Sequence, residues 1–160
     1  MTEQTMIASV RRTITVETSR ERAFALFAEK TGSWWPAGHH IAPQPFVAVL
    51  MEPRAGGRWF ERSAEGAECD WGHVLAWEPP ARLVLAWQLT AEWKYEPDLS
   101  KASEVEIRFI AEGPKRTRVE LEHRGFERHG AGAEKMRTAV ESPNGWTQCL
   151  TQFTEATQWS

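Results

Sequence analysis

Nine tryptophans stand against one tyrosine in this chain, and five histidines and two cysteines complete its inventory of reactive or ligand-binding side chains. Tryptophan carries a large apolar surface and a single N–H donor, so it serves cores, interfaces and ligand walls. Any one of them reads first as core packing; nine together point to an aromatic-lined cavity. His123 is the most informative polar residue, because it alternates with Val119 and Leu121 on a segment of period two and so points the same way as they do. An imidazole there is either satisfied by a carbonyl or acid, or it orients a ligand or moves a proton. Glu120 and Glu122 alternate to the opposite side, so His123 has no partner acid on its own strand and no catalytic residue is assigned.

The other constellations are weaker. Cys69, Asp70 and His73 are close in sequence, but alternation puts Cys69 and His73 on one face and Asp70 on the other. His39 and His40 are adjacent in a loop, where sequence leaves their geometry open. No Gly-x-Ser-x-Gly elbow and no Gly-x-x-x-x-Gly-Lys phosphate loop occurs. Gly130 and Gly132 precede a helix without the third glycine or the βαβ unit of a dinucleotide site. Neither a metal nor a cofactor is therefore expected.

The 160 residues suit one domain, residues 1–160 with a core at about 7–158. Nineteen Lys and Arg against 22 Asp and Glu give a net charge of −3, so no nucleic-acid footprint is present. The segment 101–128 mixes seven basic residues with six Glu and reads as a solvated sheet face. Two cysteines cannot build a disulfide framework and read as reduced thiols. No apolar run suffices for a membrane span, and the first residues lack the pattern of a secretion leader, so a cytoplasmic location is expected.

Segments 7–17, 46–51, 58–63, 68–77, 83–89, 104–109 and 118–123 carry the alternation or apolar runs of strands. Thr18, three residues before Glu21, has the spacing of a capping box, and Phe24, Phe27 and Ala28 share one face of the helix that follows. Gly72 suggests a bulge inside its strand. A helix is expected at 132–141, and a second at 143–158 with Ser142 as its N-cap and Pro143 at its first position. Segregated strands and helices indicate α+β, in which an antiparallel sheet curls around the long last helix. Sixteen helical residues cannot fill the hollow of a six- or seven-stranded sheet, so large side chains must fill the rest or leave a pocket. Trp59, Trp87 and Phe109 fall on the inner sheet faces, Trp146 and Phe153 on the covering face of the last helix, and Trp35 near the entrance. Trp71 depends on the register at Gly72. These residues, with His123, are the expected ligand-binding set.

The runs Glu52-Pro53-Arg54-Ala55-Gly56-Gly57-Arg58-Trp59, Trp71-Gly72-His73-Val74-Leu75 and Pro79-Pro80-Ala81-Arg82-Leu83 recur in a known order, followed by Trp87, Leu121-Glu122-His123-Arg124-Gly125-Phe126 and Gly145-Trp146. Together they resemble bacterial homologues of the C-terminal domain of the activator of the heat-shock protein 90 ATPase, within the START/Bet v 1-like (SRPBCC) helix-grip superfamily. The resemblance implies a curved sheet of about seven strands gripping a C-terminal helix, with a cavity between them. It also implies a small hydrophobic or aromatic ligand bound without turnover. A chaperone partner and a stress-response role are the alternative, and a cyclase- or hydrolase-type enzyme using His123 is the third reading. A monomer or a homodimer is expected.

Overall fold

Alternating apolar and charged residues build the sheet. In the computed structural model, which describes residues 7–159, Val105, Ile107 and Phe109 of β6 (Ser103–Gly113) lie opposite His123, Leu121 and Val119 of β7 (Arg116–Arg124). All six side chains are buried, while their charged neighbours face outward. β2 (Phe46–Met51), β3 (Arg58–Ser63), β4 (Glu68–Glu78) and β5 (Arg82–Trp87) continue the same antiparallel meander. β1 (Val10–Val16) returns beside β7, so the strand order is β1-β7-β6-β5-β4-β3-β2. The fold is a curled seven-stranded antiparallel sheet closed by a C-terminal helix, an α+β helix-grip. No helix among the described residues is long and apolar enough to cross a membrane.

Several local expectations are corrected. The N-cap of α1 (Arg20–Glu29) is Ser19, whose hydroxyl accepts from the Arg22 N–H at 3.2 Å. Thr18 is buried instead, with its carbonyl accepting from the Thr117 hydroxyl. β5 stops at Trp87, and Leu89 pairs only in an isolated bridge to Tyr95. The expected 143–158 helix is broken. After α2 (Ala133–Glu141) the chain makes a wide turn over Pro143–Thr147, and α3 begins at Gln148 and runs to Trp159. Ser142 does not cap it, because its hydroxyl donates back to the Ala139 carbonyl at 2.7 Å. Gly145 sits at φ −90°, ψ −129°, where an added Cβ would lie 2.1 Å from the Val140 carbonyl oxygen. Only glycine permits that approach, so Trp146 sits on a turn rather than on the helix.

The bulge foreseen at Gly72 is present: Trp59 pairs with Gly72 and Phe60 with Asp70, leaving Trp71 as the extra residue of β4. A Cβ on Gly72 would meet the Ala86 carbonyl at 1.8 Å. The shift reverses the expected faces. Asp70 and His73 now lie opposite Phe60 and Arg58 on one face, and Cys69 lies opposite Glu61 on the other.

The outer face of β5, β6 and β7 is less open than expected. Glu106 is 5% exposed and accepts from Arg82 at 2.5 Å, Arg124 at 2.6 Å and Arg108 at 2.9 Å. Burial alone would raise its pKa, but the three guanidinium groups outweigh burial and hold it at about 2.

Candidate functional site

The interior has two halves of different character. Towards α1, Phe24 and Phe27 meet Phe109 edge-on at 5.2 and 5.8 Å between centroids, and Phe27 and Trp34 both meet Phe153 at 5.2 Å. This half is dry packing. Towards the far end, Trp35 meets Trp71 at 5.3 Å and Trp146 at 6.0 Å, while Trp59 meets Trp71 at 5.5 Å and Trp87 at 5.8 Å. Here too the indoles touch, tilted or edge to face, but one side of the cluster is left unfilled. Beside these contacts lies a half-open cavity of about 400 Å³, within the roughly 300–1,000 Å³ typical of small-molecule sites.

Trp35, Trp71, Trp87 and Trp146 line that cavity, and Trp93 stands at it from the loop after β5. Trp59, Phe109, His123 and Phe153 do not line it: Trp59 and His123 are buried against its wall tryptophans, and Phe109 and Phe153 belong to the packed half towards α1. The structure thus brings four of the eight expected residues to one space, sets Trp59 and His123 behind its wall, and leaves Phe109 and Phe153 away from it. The loop bearing Trp93 and Tyr95 reads from sequence as a lid or a protein-contact patch, and Trp93 does stand at the cavity; sequence reasoning left out His39, His40, Ser142, Asn144 and Cys149, which bring polar atoms. The adjacent His39-His40 pair was the available signal, but the loop that carries it has no periodicity to place it.

His39 packs beside Cys149, with its Nδ1 3.8 Å from the sulfur. Burial lowers the pKa of His39, despite hydrogen-bonding support from the Asn144 backbone and the Gln148 side chain. At neutral pH its ring is uncharged. Burial also pushes the Cys149 thiol up to about 12, so it is not a thiolate nucleophile at neutral pH.

A residue that sequence reasoning missed holds this wall together. Glu61 is 1% exposed and faces inward from β3. Its carboxylate accepts from the Trp71 indole N–H at 2.8 Å and from the backbone N–H groups of Ile41 and Ala42 at 2.6 and 3.4 Å. One acid therefore ties a wall tryptophan to the loop bearing His39 and His40. An inward acid on a half-buried strand resembles any other polar residue in an alternating pattern, so spacing alone could not find it.

His123 is fully buried, and both its ring nitrogens are used. Trp146 Nε1, which can only donate, gives its hydrogen to His123 Nδ1 at 3.1 Å. The neutral ring then carries its own hydrogen on Nε2, 2.8 Å from the Ser103 hydroxyl. Ser103 accepts that hydrogen and donates its own to His129 Nε2 at 2.7 Å. Burial, and secondarily the nearby His129, drive the His123 pKa well below its ordinary value. This arrangement orients Trp146, and it leaves His123 no nitrogen free for a substrate. Among the described residues no group of three His, Cys, Asp or Glu is disposed to hold a metal.

The sequence profile described as activator of Hsp90 ATPase homolog 1-like protein matches residues 17–158. The chain belongs to that family. Among solved structures, this activator-family chain is similar to the anthrahydroquino-gamma-pyrone synthase Txn09 complexed with SUM, at 35% identity and TM-score 0.67, over 96% of this chain and 99% of that one. It is also similar to CalC of Micromonospora echinospora, a self-sacrificing resistance protein, at 31% identity and TM-score 0.71 over 94% of both chains. CalU16 of the same organism shares the fold at 23% identity and TM-score 0.60, over 92% of this chain and 73% of that one. No curated protein matches the chain in sequence.

Proposed function

We propose that this activator-family protein binds a flat, largely apolar aromatic molecule in the tryptophan-lined cavity. The observation that carries the reading is five indole rings bordering one space of about 400 Å³. Indole faces offer stacking area and N–H donors with little rotamer entropy to lose, which favours planar guests over flexible chains. Txn09, a synthase of an anthrahydroquino-gamma-pyrone, and CalC, a resistance protein, support ligand handling on this scaffold.

Binding without turnover is the first reading, since Cys149 is held as a thiol and His123 is fully engaged. Turnover is the second, favoured by the 35% identity to a synthase and by the neutral imidazole of His39 on the cavity wall. The family's description also carries a chaperone partner as an alternative, which an ATPase assay with purified Hsp90-type chaperone tests directly.

Native mass spectrometry with 1,8-dihydroxyanthraquinone, anthrone, xanthone and palmitate tests the main reading. One-to-one complexes with planar compounds and none with palmitate are expected; retention of none of the planar compounds overturns it. Conversion of a bound compound into a chromatographically distinct product moves the assignment to the enzyme reading.

A further inference from the structure

Trp93 combines three properties seldom found together. Its backbone is left-handed at φ 61°, the only described non-glycine residue with positive φ. The residue is 44% exposed, whereas most of the other described tryptophans are buried. It also borders the cavity, edge-on to Trp87 at 6.4 Å between centroids.

The segment beneath it is held firmly. Gln88 is 2% exposed; its side-chain amide donates to the carbonyls of Glu96 and Pro97 at 3.2 and 3.3 Å, and its backbone bonds Trp71 and Glu96. At the tip, the Thr90 hydroxyl accepts from Glu92 and Lys94 N–H groups, and the Trp93 N–H donates to the Thr90 carbonyl at 2.8 Å. A left-handed turn position is normally glycine or asparagine, because a bulky side chain is strained there. Strain that persists on an over-determined scaffold, and that does not serve to bury the ring, points to a binding role.

We propose that Trp93 is the clasp of the cavity: its ring closes over the solvent-facing side of a planar guest, opposite the buried indoles. This rests on the aromatic-ligand reading above and deepens it. The guest must present a flat face to solvent as well as to the interior, so a planar fused-ring compound is selected over a globular one of equal volume.

The test compares unmodified protein with Trp93→Asn, which suits the left-handed backbone, and Trp93→Tyr, which keeps a stacking ring. Binding of 1,8-dihydroxyanthraquinone, anthrone and xanthone is followed by calorimetry and stopped-flow, and melting by circular dichroism. Trp93→Asn is expected to weaken the best-bound planar compound about tenfold or more, mainly through faster dissociation. Its melting temperature should stay within about 3 °C of the unmodified protein. Trp93→Tyr should remain within about threefold in affinity. Unchanged affinity in Trp93→Asn overturns the clasp while leaving the cavity reading intact. So does lost affinity that comes with a melting point many degrees lower, which makes Trp93 a folding residue. If the unmodified protein binds none of the three, the cavity reading fails first and the clasp with it.

Discussion

The carboxylate of Glu61 accepts the indole N–H of Trp71 at 2.8 Å, and the same group holds the backbone of Ile41 and Ala42. The sheet and the loop that form this wall of the cavity therefore share one anchor. Replacing Glu61 with Leu leaves three donors without their acceptor in a buried setting. Because unmet buried donors cost roughly 1–3 kcal/mol each and some will find water, a loss of about 2–4 kcal/mol is expected. Urea unfolding measures it, and Glu61→Gln, which retains an acceptor oxygen, should lose less. Equal stability of Glu61→Leu and the unmodified protein contradicts the anchoring role.

His123→Phe keeps the ring volume beside Phe126, 4.4 Å away between centroids, but leaves the Trp146 N–H and the Ser103 hydroxyl short of a partner. A destabilisation of about 2–4 kcal/mol is expected. If the cavity reading holds, affinity for planar ligands should fall with it, because Trp146 loses its orienting acceptor. A variant as stable as the unmodified protein shows that the chain from His129 to Trp146 contributes nothing.

Acid should weaken the fold in two stages. Burial lowers the pKa values of His39, His123 and His129 below 6.5, so below that pH the unfolded chain takes up protons that the folded chain resists. Their contribution is complete above pH 6.5 and declines as pH falls, by up to about 1.4 kcal/mol per pH unit for each histidine between its folded and unfolded values. Glu106, held at about 2 against an ordinary 4.5, adds a second loss as pH falls from about 4.5 towards 2. Urea midpoints at pH 7.5, 6.0 and 5.0 should decrease in that order. A flat profile over this range contradicts the neutral, buried state of the histidines.

How far sequence reached depended on which interactions were local. The β6–β7 hairpin was legible because Val105, Ile107 and Phe109 alternate with charges, and the tryptophans announced an aromatic interior by number alone. The break before α3 was not legible: Ser142-Pro143 is a good local start signal, and only the close approach of Gly145 to Val140 excludes a continuous helix. The faces of Cys69, Asp70 and His73 were misread because the bulge at Trp71 shifts every later residue by one. The division between cavity-lining Trp35, Trp71, Trp87 and Trp146 and the buried Trp59, Phe109, His123 and Phe153 is set by tertiary packing. So is the role of Glu61, whose partners lie 10 to 20 positions away in the chain.

The most direct test of the account is to fill the cavity and ask whether binding disappears. Ala139 borders the space from α2 and is only half-buried, so Ala139→Trp can place an indole in the cavity without disturbing the core beneath. Quenching of intrinsic tryptophan fluorescence by 1,8-dihydroxyanthraquinone, anthrone and xanthone should saturate at one equivalent in the unmodified protein and vanish in the folded Ala139→Trp variant. Saturable quenching that persists unchanged in that variant would place the ligand elsewhere and contradict the account.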